Sequence, residues 1–232
     1  MEPGQVGLQA GVTSGFPAGG PFFLLGLGGD VAVSHKVAPR LDWGIVRRPD
    51  GSVDLRDLRL GSQIVLTDAP TFTVRLQPGV VLPTASAAAN YYYTDLSTGS
   101  VDPTLAAEAV GGSTWLGSVR VSARVPLYDG ADRIRQGPFF GADTRLARRI
   151  GSVVPFVGAS ALRQLPSVPV GAAPDFTEVA ATGGVVVAPW DTSSLVPHVR
   201  VPLYNPNGLS YGLAVGMVFR TIVGGPPDGH EH

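Results

Sequence analysis

Arginine is the residue type whose number and spacing in this 232-residue chain suggest a chemical role. The chain has sixteen arginines but only one lysine, Lys36, and many of the arginines alternate with apolar residues. Because successive side chains of a strand point to opposite faces, this spacing predicts guanidinium groups gathered on one face. The residues expected there are Arg40, Arg59, Arg75, Arg120, Arg124, Arg145, Arg200 and Arg220, with Asp30, Asp42 and Asp143. Such an excess of positive charge would attract anions and repel cations.

Histidine and serine are the other residues that could act in catalysis, since an activated hydroxyl needs a base within hydrogen-bond reach. His35 is expected in a short turn and His198 on the arginine face, and no serine follows either at a recognisable spacing. The sequence therefore predicts no catalytic residues and no enzymatic activity. The final four residues, GHEH, offer two imidazoles and a carboxylate, but in a flexible tail we expect them to be inert. We predict no metal site and no cofactor.

Three consecutive tyrosines, Tyr91, Tyr92 and Tyr93, lie in a long polar segment at residues 84–100. One interpretation is a loop tip that contacts a protein partner. The other is a solvated loop whose tyrosines prefer the membrane–water interface. The residues favour neither interpretation. The net charge of −1 gives no electrostatic reason to expect a nucleic acid partner.

Strands must position these residues, because apolar side chains recur at every second position through most of the chain. Residues 196–220, VPHVRVPLYNPNGLSYGLAVGMVFR, contain two such runs joined by an Asn-Pro-Asn-Gly turn. We expect about twelve antiparallel strands, with a short helix as the alternative only around residues 103–110. The organisation predicted is one domain, residues 1–223, and a flexible tail, residues 224–232.

The apolar face of these strands would meet lipid in a membrane barrel and protein in a soluble sandwich. Charged residues are only 15% of the chain and the mean hydropathy is +0.20. One end of the predicted hairpins has brief turns and the other has mostly longer polar connections, as in outer-membrane barrels. Because every backbone group must be hydrogen-bonded in hydrocarbon, such strands would have to close into a barrel.

Aromatic residues fall near both ends of the predicted strands, as they do at the two interfaces of a membrane. Those near one end or the other are Phe22, Phe23, Phe72, Trp115, Tyr128, Phe139, Phe140, Phe156, Phe176, Trp190, Tyr204, Tyr211 and Phe219. We therefore expect an all-β fold, a closed antiparallel up-and-down transmembrane β-barrel. The residues expected to face lipid in its last hairpin are Val199, Val201, Leu203, Leu213, Val215 and Met217.

The last hairpin also resembles the closing hairpin of a known family, the meta-pathway phenol-degradation outer-membrane proteins. The similar features are the run Val201–Tyr204, the turn Asn207-Gly208 and a strand that ends on Phe219, and VVLPT at residues 80–84 resembles the family's middle section. The resemblance implies a barrel in the bacterial outer membrane with a role in uptake. The N-terminus lacks a basic region followed by an apolar core, so we expect a mature chain without its signal peptide.

Three functions are compatible with these features. The first is a passive porin-like channel that transports small solutes, anionic or aromatic, across the lipid bilayer. The second is a non-conducting scaffold barrel that docks a partner, for example through residues 84–100, in a larger outer-membrane assembly. The third is a soluble β-sandwich that binds a ligand. A barrel of about twelve strands would have a narrow lumen, because diameter grows with strand number.

Overall fold

The computed structural model describes residues 2–16, 20–84, 99–128, 135–167, 176–190, 192–204 and 213–224. Within these residues no helix is long and apolar enough to cross a membrane. The strands are β1 (Val6–Phe16), β2 (Phe22–Val31), β3 (Val37–Arg47), β4 (Val53–Leu55), β5 (Leu58–Ala69), β6 (Phe72–Leu82), β7 (Asp102–Gly112), β8 (Trp115–Arg124), β9 (Phe139–Arg148), β10 (Val153–Gln164), β11 (Phe176–Trp190), β12 (Ser193–Tyr204) and β13 (Leu213–Val223).

The strands form one closed sheet in which neighbours in the chain pair antiparallel. β1 closes the ring by pairing with β13, from Val6 opposite Val223 to Phe16 opposite Leu213. β4 and β5 both pair with β3 and share one position, so the thirteen strands fill a ring of twelve. Closure gives every strand except the three-residue β4 a hydrogen-bonded neighbour on both sides, as hydrocarbon requires. The predicted closed barrel of about twelve strands is confirmed, in place of the soluble β-sandwich, and residues 103–110 are strand rather than helix.

A bulge at Arg56 and Asp57 separates β4 from β5. The β3–β4 and β3–β5 ladders are offset by one residue, which means that one extra residue lies between them. An extra residue interrupts the alternation of inward and outward side chains. Asp57 is ion-paired inside the barrel with Arg124, and Arg56 lies over Gly44 on the inner wall. Strict alternation with Leu58 and Leu60 would have placed Arg56 in lipid, and the bulge prevents this.

The outer face of the last hairpin is apolar, as predicted. In β13 the inward and outward side chains alternate regularly: Ala214 and Gly216 are buried, whereas their neighbours Leu213, Val215 and Met217 are exposed. The six residues predicted to face lipid have exposed fractions between 39% and 65%: Val199, Val201, Leu203, Leu213, Val215 and Met217.

Aromatic side chains cluster at both ends of the outer face. Those exposed at the ends are Phe16, Phe23, Phe72, Trp115, Tyr128, Phe140, Tyr204 and Phe219. Phe22, Phe139 and Phe156 were expected in the same bands, but they are only 2%, 5% and 8% exposed and lie inside the barrel. These three residues lie at the expected position along their strands, but the alternation of side chains places them on the inner face. Tyr211 and the side chains of Phe176 and Trp190 lie outside the described part of the chain.

The two ends of the barrel differ in the length of their connections. At one end, the short-turn end, the strands are joined by residues 32–36, 70–71, 113–114, 149–152 and 191–192. At the other, the long-loop end, they are joined by residues 17–21, 48–52, 83–101, 125–138, 165–175 and 205–212. The first and last strands begin and end at the short-turn end, as predicted. The division into one domain and a tail stays a prediction, and residues 225–232 lie outside the described residues.

Candidate functional site in the barrel lumen

A cavity of about 630 Å³ lies inside the barrel, and arginine dominates its charge. We call it the arginine cavity. Its charged lining residues are Arg40, Arg56, Arg59, Arg75, Arg120, Arg124, Arg145, Arg220, Asp42 and Glu108. Of the residues predicted from alternation, Arg200, Asp30 and Asp143 also point inward but do not line the cavity. Eight arginines and two acids line this space, and Asp30, Asp57 and Asp102 pair with lining arginines from just outside it.

Four charged residues stand in register across adjacent strands on the inner wall. They are Arg75 on β6, Glu108 on β7, Arg120 on β8 and Asp143 on β9. Residues directly opposed in adjacent strands have Cβ atoms about 5 Å apart, so alternating signs reduce the repulsion between the two arginines. Arg75 Nη1 lies 3.8 Å from Glu108 Oε2. Within the described residues Arg120 has no such ion pair, and its side chain is exposed to the lumen.

Arginine and aspartate also pair on the β1–β3 side of the barrel. Arg40 donates from Nε and Nη2 to the two oxygens of Asp42, at 2.6 and 2.8 Å. Arg220 Nη2 lies 3.7 Å from Asp30 Oδ2. Gly7 makes room for this second pair, because a Cβ there would lie 2.5 Å from Asp30 Oδ1. These pairs lie toward the short-turn end and are open to solvent, so each is worth about 1 kcal/mol or less.

The buried polar side chains form a different layer. We call them the buried layer, and all lie at the long-loop end: Asp57, Ser100, Asp102, Arg124, Gln136, Gln164, Ser167 and Glu178. Arg124 Nε donates to Asp102 Oδ2 at 2.5 Å, and Arg124 Nη2 lies 3.5 Å from Asp57 Oδ2. The same guanidinium stacks on Phe139, 5.5 Å from the ring centre. Since Asp57 directly precedes β5 and Arg124 ends β8, this contact spans the wall formed by β6 and β7.

A second buried pair belongs to the same layer. Glu178 on β11 is 1% exposed and forms an ion pair with Arg200 on β12. The two residues are not directly opposed: Arg200 faces Thr182, so its side chain extends past Ala180 to a carboxylate four residues away along β11. Arg200 therefore neutralises a buried carboxylate and does not line the arginine cavity.

Seven inward charged residues were missed by the sequence analysis: Arg56, Asp57, Asp102, Glu108, Glu178 and the ion pair Arg48 and Asp54. The first two lie at the bulge, where alternation fails. Asp102 begins β7, whose apolar alternation is weak, and Glu108 lies on the same strand. Glu108 and Glu178 could have been predicted from the alternation of side chains along their strands, which places both on the inner face. With five additional carboxylates inside, the interior as a whole is closer to neutral than predicted, and the positive excess is confined to the arginine cavity.

The two histidines discussed above have no catalytic partner among the described residues. His198 lies inside, with its Nδ1 3.3 Å from the carbonyl oxygen of Val196 and its ring over Gly216. His35 lies at the short-turn end, 3.3 Å from Glu2. The described residues also contain no group of three or more His, Asp or Glu that could hold a metal ion. Tyr91, Tyr92 and Tyr93 lie outside the described residues.

Comparison with known proteins gives the same fold. The model of a family described as "Putative MetA-pathway of phenol degradation" matches residues 3–209. The structure is similar to an outer membrane channel from Pseudomonas putida F1, with 13% identity, a TM-score of 0.72 and coverage of 96% of this chain and 97% of that chain.

Two further solved barrels resemble the chain. A NanC porin has 8% identity and a TM-score of 0.59, over 94% of this chain and 98% of the porin. The β domain of the Bordetella autotransporter BrkA has 12% identity and a TM-score of 0.56, over the same shares, 94% and 98%. No curated protein matches the sequence. At these identities the likeness to solved structures is one of fold, that of an outer-membrane β-barrel.

Proposed function

This chain belongs to the MetA-pathway phenol-degradation family and has the fold of an outer-membrane β-barrel, and on these premises we propose that it is a passive channel that favours small anions. The predicted family and the predicted outer-membrane barrel are both confirmed. The apolar outer face provides the contact with the lipid bilayer. The channel activity, the solute class and the absence of catalysis are parts of the proposal.

The observation that carries the proposal is the positive charge of the arginine cavity, where eight lining arginines exceed the five acids that line it or pair with its arginines. Positively charged rings in a pore attract anions and repel cations. Walls of low dielectric constant strengthen this effect, because field lines are focused into the lumen. Arg120 and Arg145 are exposed to the lumen and have no ion pair among the described residues, so their charge acts on a passing ion, whereas Arg40 and Arg220 are neutralised by Asp42 and Asp30.

The positions of the outward-facing arginines also support a lipid-facing exterior and a charged lumen. Arg47, Arg148 and Arg163 point away from the lumen, and each lies at or next to the end of its strand. An arginine facing lipid at the middle of the membrane costs about 2–4 kcal/mol, which falls to about 0–1 near the interfaces. The mid-strand arginines, in contrast, face the lumen. Their retention inside the barrel agrees with a role toward solutes.

The second candidate function is a non-conducting scaffold barrel, and the buried layer favours it. Eight polar side chains with little exposure gather at the long-loop end, where a conducting path would have to pass. A partner bound through residues 84–100 would fit this function and stays a prediction. The two functions differ in one measurable property, which is conductance.

Reversal potentials in a planar bilayer under a salt gradient test the proposal. An anion-selective channel will show a permeability ratio of anion over cation above one. The ratio will rise at low salt, because the screening length grows from about 8 Å at 0.15 M to about 30 Å at 0.01 M. Cation preference would contradict the proposal, and zero conductance from protein that inserts would favour the scaffold.

A further inference from the structure

We propose that the arginine cavity contains a discrete subsite for a small oxyanion, such as a carboxylate, phosphate or sulfate group, with Arg56 and Arg120 as its two cationic contacts. The inference rests on the proposed function, since an anion must enter the lumen to reach the subsite. It goes further in assigning binding to two particular arginines and in naming the ligand chemistry.

The other arginines that line the cavity already have interaction partners. Three form ion pairs with single acids: Arg40 with Asp42, Arg75 with Glu108 and Arg220 with Asp30. Arg124 is held by two buried acids, and Arg145 stacks on Phe156, 5.4 Å from the ring centre. Arg59 also has an interaction partner. Within the described residues, Arg56 and Arg120 are the lining arginines whose guanidinium groups have neither an ion pair nor a ring contact.

Arg56 is positioned by shape rather than by an acid. Gly11, Gly26 and Gly44 stand in register on β1, β2 and β3 and leave a groove in the inner wall. The Arg56 side chain lies along this groove, since a Cβ on Gly44 would be 3.1 Å from its Cδ and one on Gly26 would be 3.7 Å from its Nη1. Its Nε is buried without a hydrogen-bond partner. A guanidinium partly removed from water attracts an anion more strongly than a fully hydrated one.

Arg120 extends into the cavity from another wall. It lies on β8, which is four to five positions from β2 and β3 in the ring of twelve and therefore nearly opposite them. Its cross-strand neighbours are Glu108, which is paired with Arg75, and Asp143 on β9, with which it forms no ion pair among the described residues. Ser122 and Gly141, the next inward residues toward the long-loop end on β8 and β9, are small and leave space beside the guanidinium. A solute that crosses the cavity passes between Arg56 on one wall and Arg120 on the other.

Two separated guanidinium groups favour an oxyanion over a halide. Guanidinium is a planar fork of N–H donors that matches the oxygen pairs of carboxylate and phosphate. Chloride gains Coulomb attraction from the same charges but uses none of this geometry. The subsite will therefore bind an oxyanion saturably while chloride passes with little retention.

Inorganic phosphate is the probe for the first experiment. Chloride conductance is recorded in planar bilayers while phosphate is added, and the concentration that halves the current is measured. In the native chain the block will saturate, and in Arg56→Gln and in Arg120→Gln the half-blocking concentration will rise about tenfold, because each variant loses a charged hydrogen bond. Arg40→Gln is the matched control, since Arg40 lines the same cavity but is paired with Asp42, and its value will change less than about twofold.

The outcomes separate the subsite from the channel function. A native chain that selects anions but shows no saturable block by phosphate overturns the subsite and leaves the proposed function standing. An equal effect of all three variants also overturns it, because the cavity would then act only through its total charge. If the native chain does not conduct, the proposed function fails, and calorimetric titration of phosphate into detergent-solubilised protein decides the subsite. Binding that is lost in Arg56→Gln and Arg120→Gln but kept in Arg40→Gln supports it, and any other result overturns it.

Discussion

The arginine cavity and the buried layer use the same residue type in opposite ways. Arg120 and Arg124 lie four residues apart on β8, and both point inward. Arg120 is exposed to the lumen and has no ion pair among the described residues, whereas Arg124 is 9% exposed and lies between Asp57 and Asp102. One is placed to act on a solute and the other holds the wall together.

Burial explains the difference. A charge that loses its water must be compensated by partners, because its desolvation costs several kcal/mol. At the long-loop end the compensating acids are present, and removing either side of a pair leaves a buried charge alone. In the arginine cavity water remains, so an arginine without an acid is tolerated and its field reaches the solute. The contrast predicts that stability depends on the buried layer and selectivity on the arginine cavity.

The largest expected effect is on stability, from Arg124→Gln. The substitution leaves Asp57 and Asp102 buried without their cation, which will lower the free energy of unfolding by about 3–5 kcal/mol. Denaturant unfolding in detergent micelles measures it, with Arg120→Gln as the matched control on the same strand, expected within about 0.5 kcal/mol of the native chain. Similar values for the two variants would remove the distinction between the two regions.

Gly44→Ala will have the next largest effect, and it sharpens the comparison from the cavity side. A Cβ at Gly44 meets the carbonyl oxygen of Leu25 and lies 3.1 Å from Cδ of Arg56, so we expect a loss of about 1–3 kcal/mol from overpacking and a weaker phosphate block. Gly117→Ala on β8 is the control, because nothing lies within 4 Å of a Cβ there. An unchanged block in a destabilised Gly44→Ala protein would show that the groove does not position Arg56.

Arg120→Gln will change selectivity without a change in stability. Loss of one lumen charge will lower the anion-to-cation permeability ratio about threefold, the equivalent of ~0.6 kcal/mol for an exposed charge. Arg47→Gln, which removes an outward charge at the end of β3, will leave the ratio as it is. Reversal potentials at low salt measure both variants, and equal ratios in the two would count against a role for the lumen charge.

The smallest effect is expected from His198→Ala. His198 lies inside the barrel against Gly216 and a backbone carbonyl, with no described hydroxyl as hydrogen-bond partner. Conductance and selectivity will therefore stay near those of the native chain. A hydrolytic or acyl-transfer activity that disappears in this variant would show instead that the barrel is an enzyme.

Alternation along the chain was enough to predict the fold and much of the lumen. The lipid face of β13 and the inward parity of Arg75, Arg120 and Arg145 follow from side chains that change face at each residue. Where alternation is interrupted, the prediction failed. Arg56 and Asp57 lie at a bulge, which depends on how β3 pairs with two strand segments and leaves no mark in the composition of either.

The sequence by itself determined the strands and their two faces, and its low charge, unequal loops and terminal aromatic bands favoured a barrel over a soluble sandwich, because strands in lipid must close. It also determined that most mid-strand arginines face inward, because lipid would not accept them. Only the tertiary structure decided which of these arginines are neutralised. Glu108 reaches Arg75, Asp102 reaches Arg124 and Glu178 reaches Arg200 across neighbouring strands, and Asp57 reaches Arg124 across two intervening strands. Pairing depends on register and burial, and these exist only once the barrel has closed.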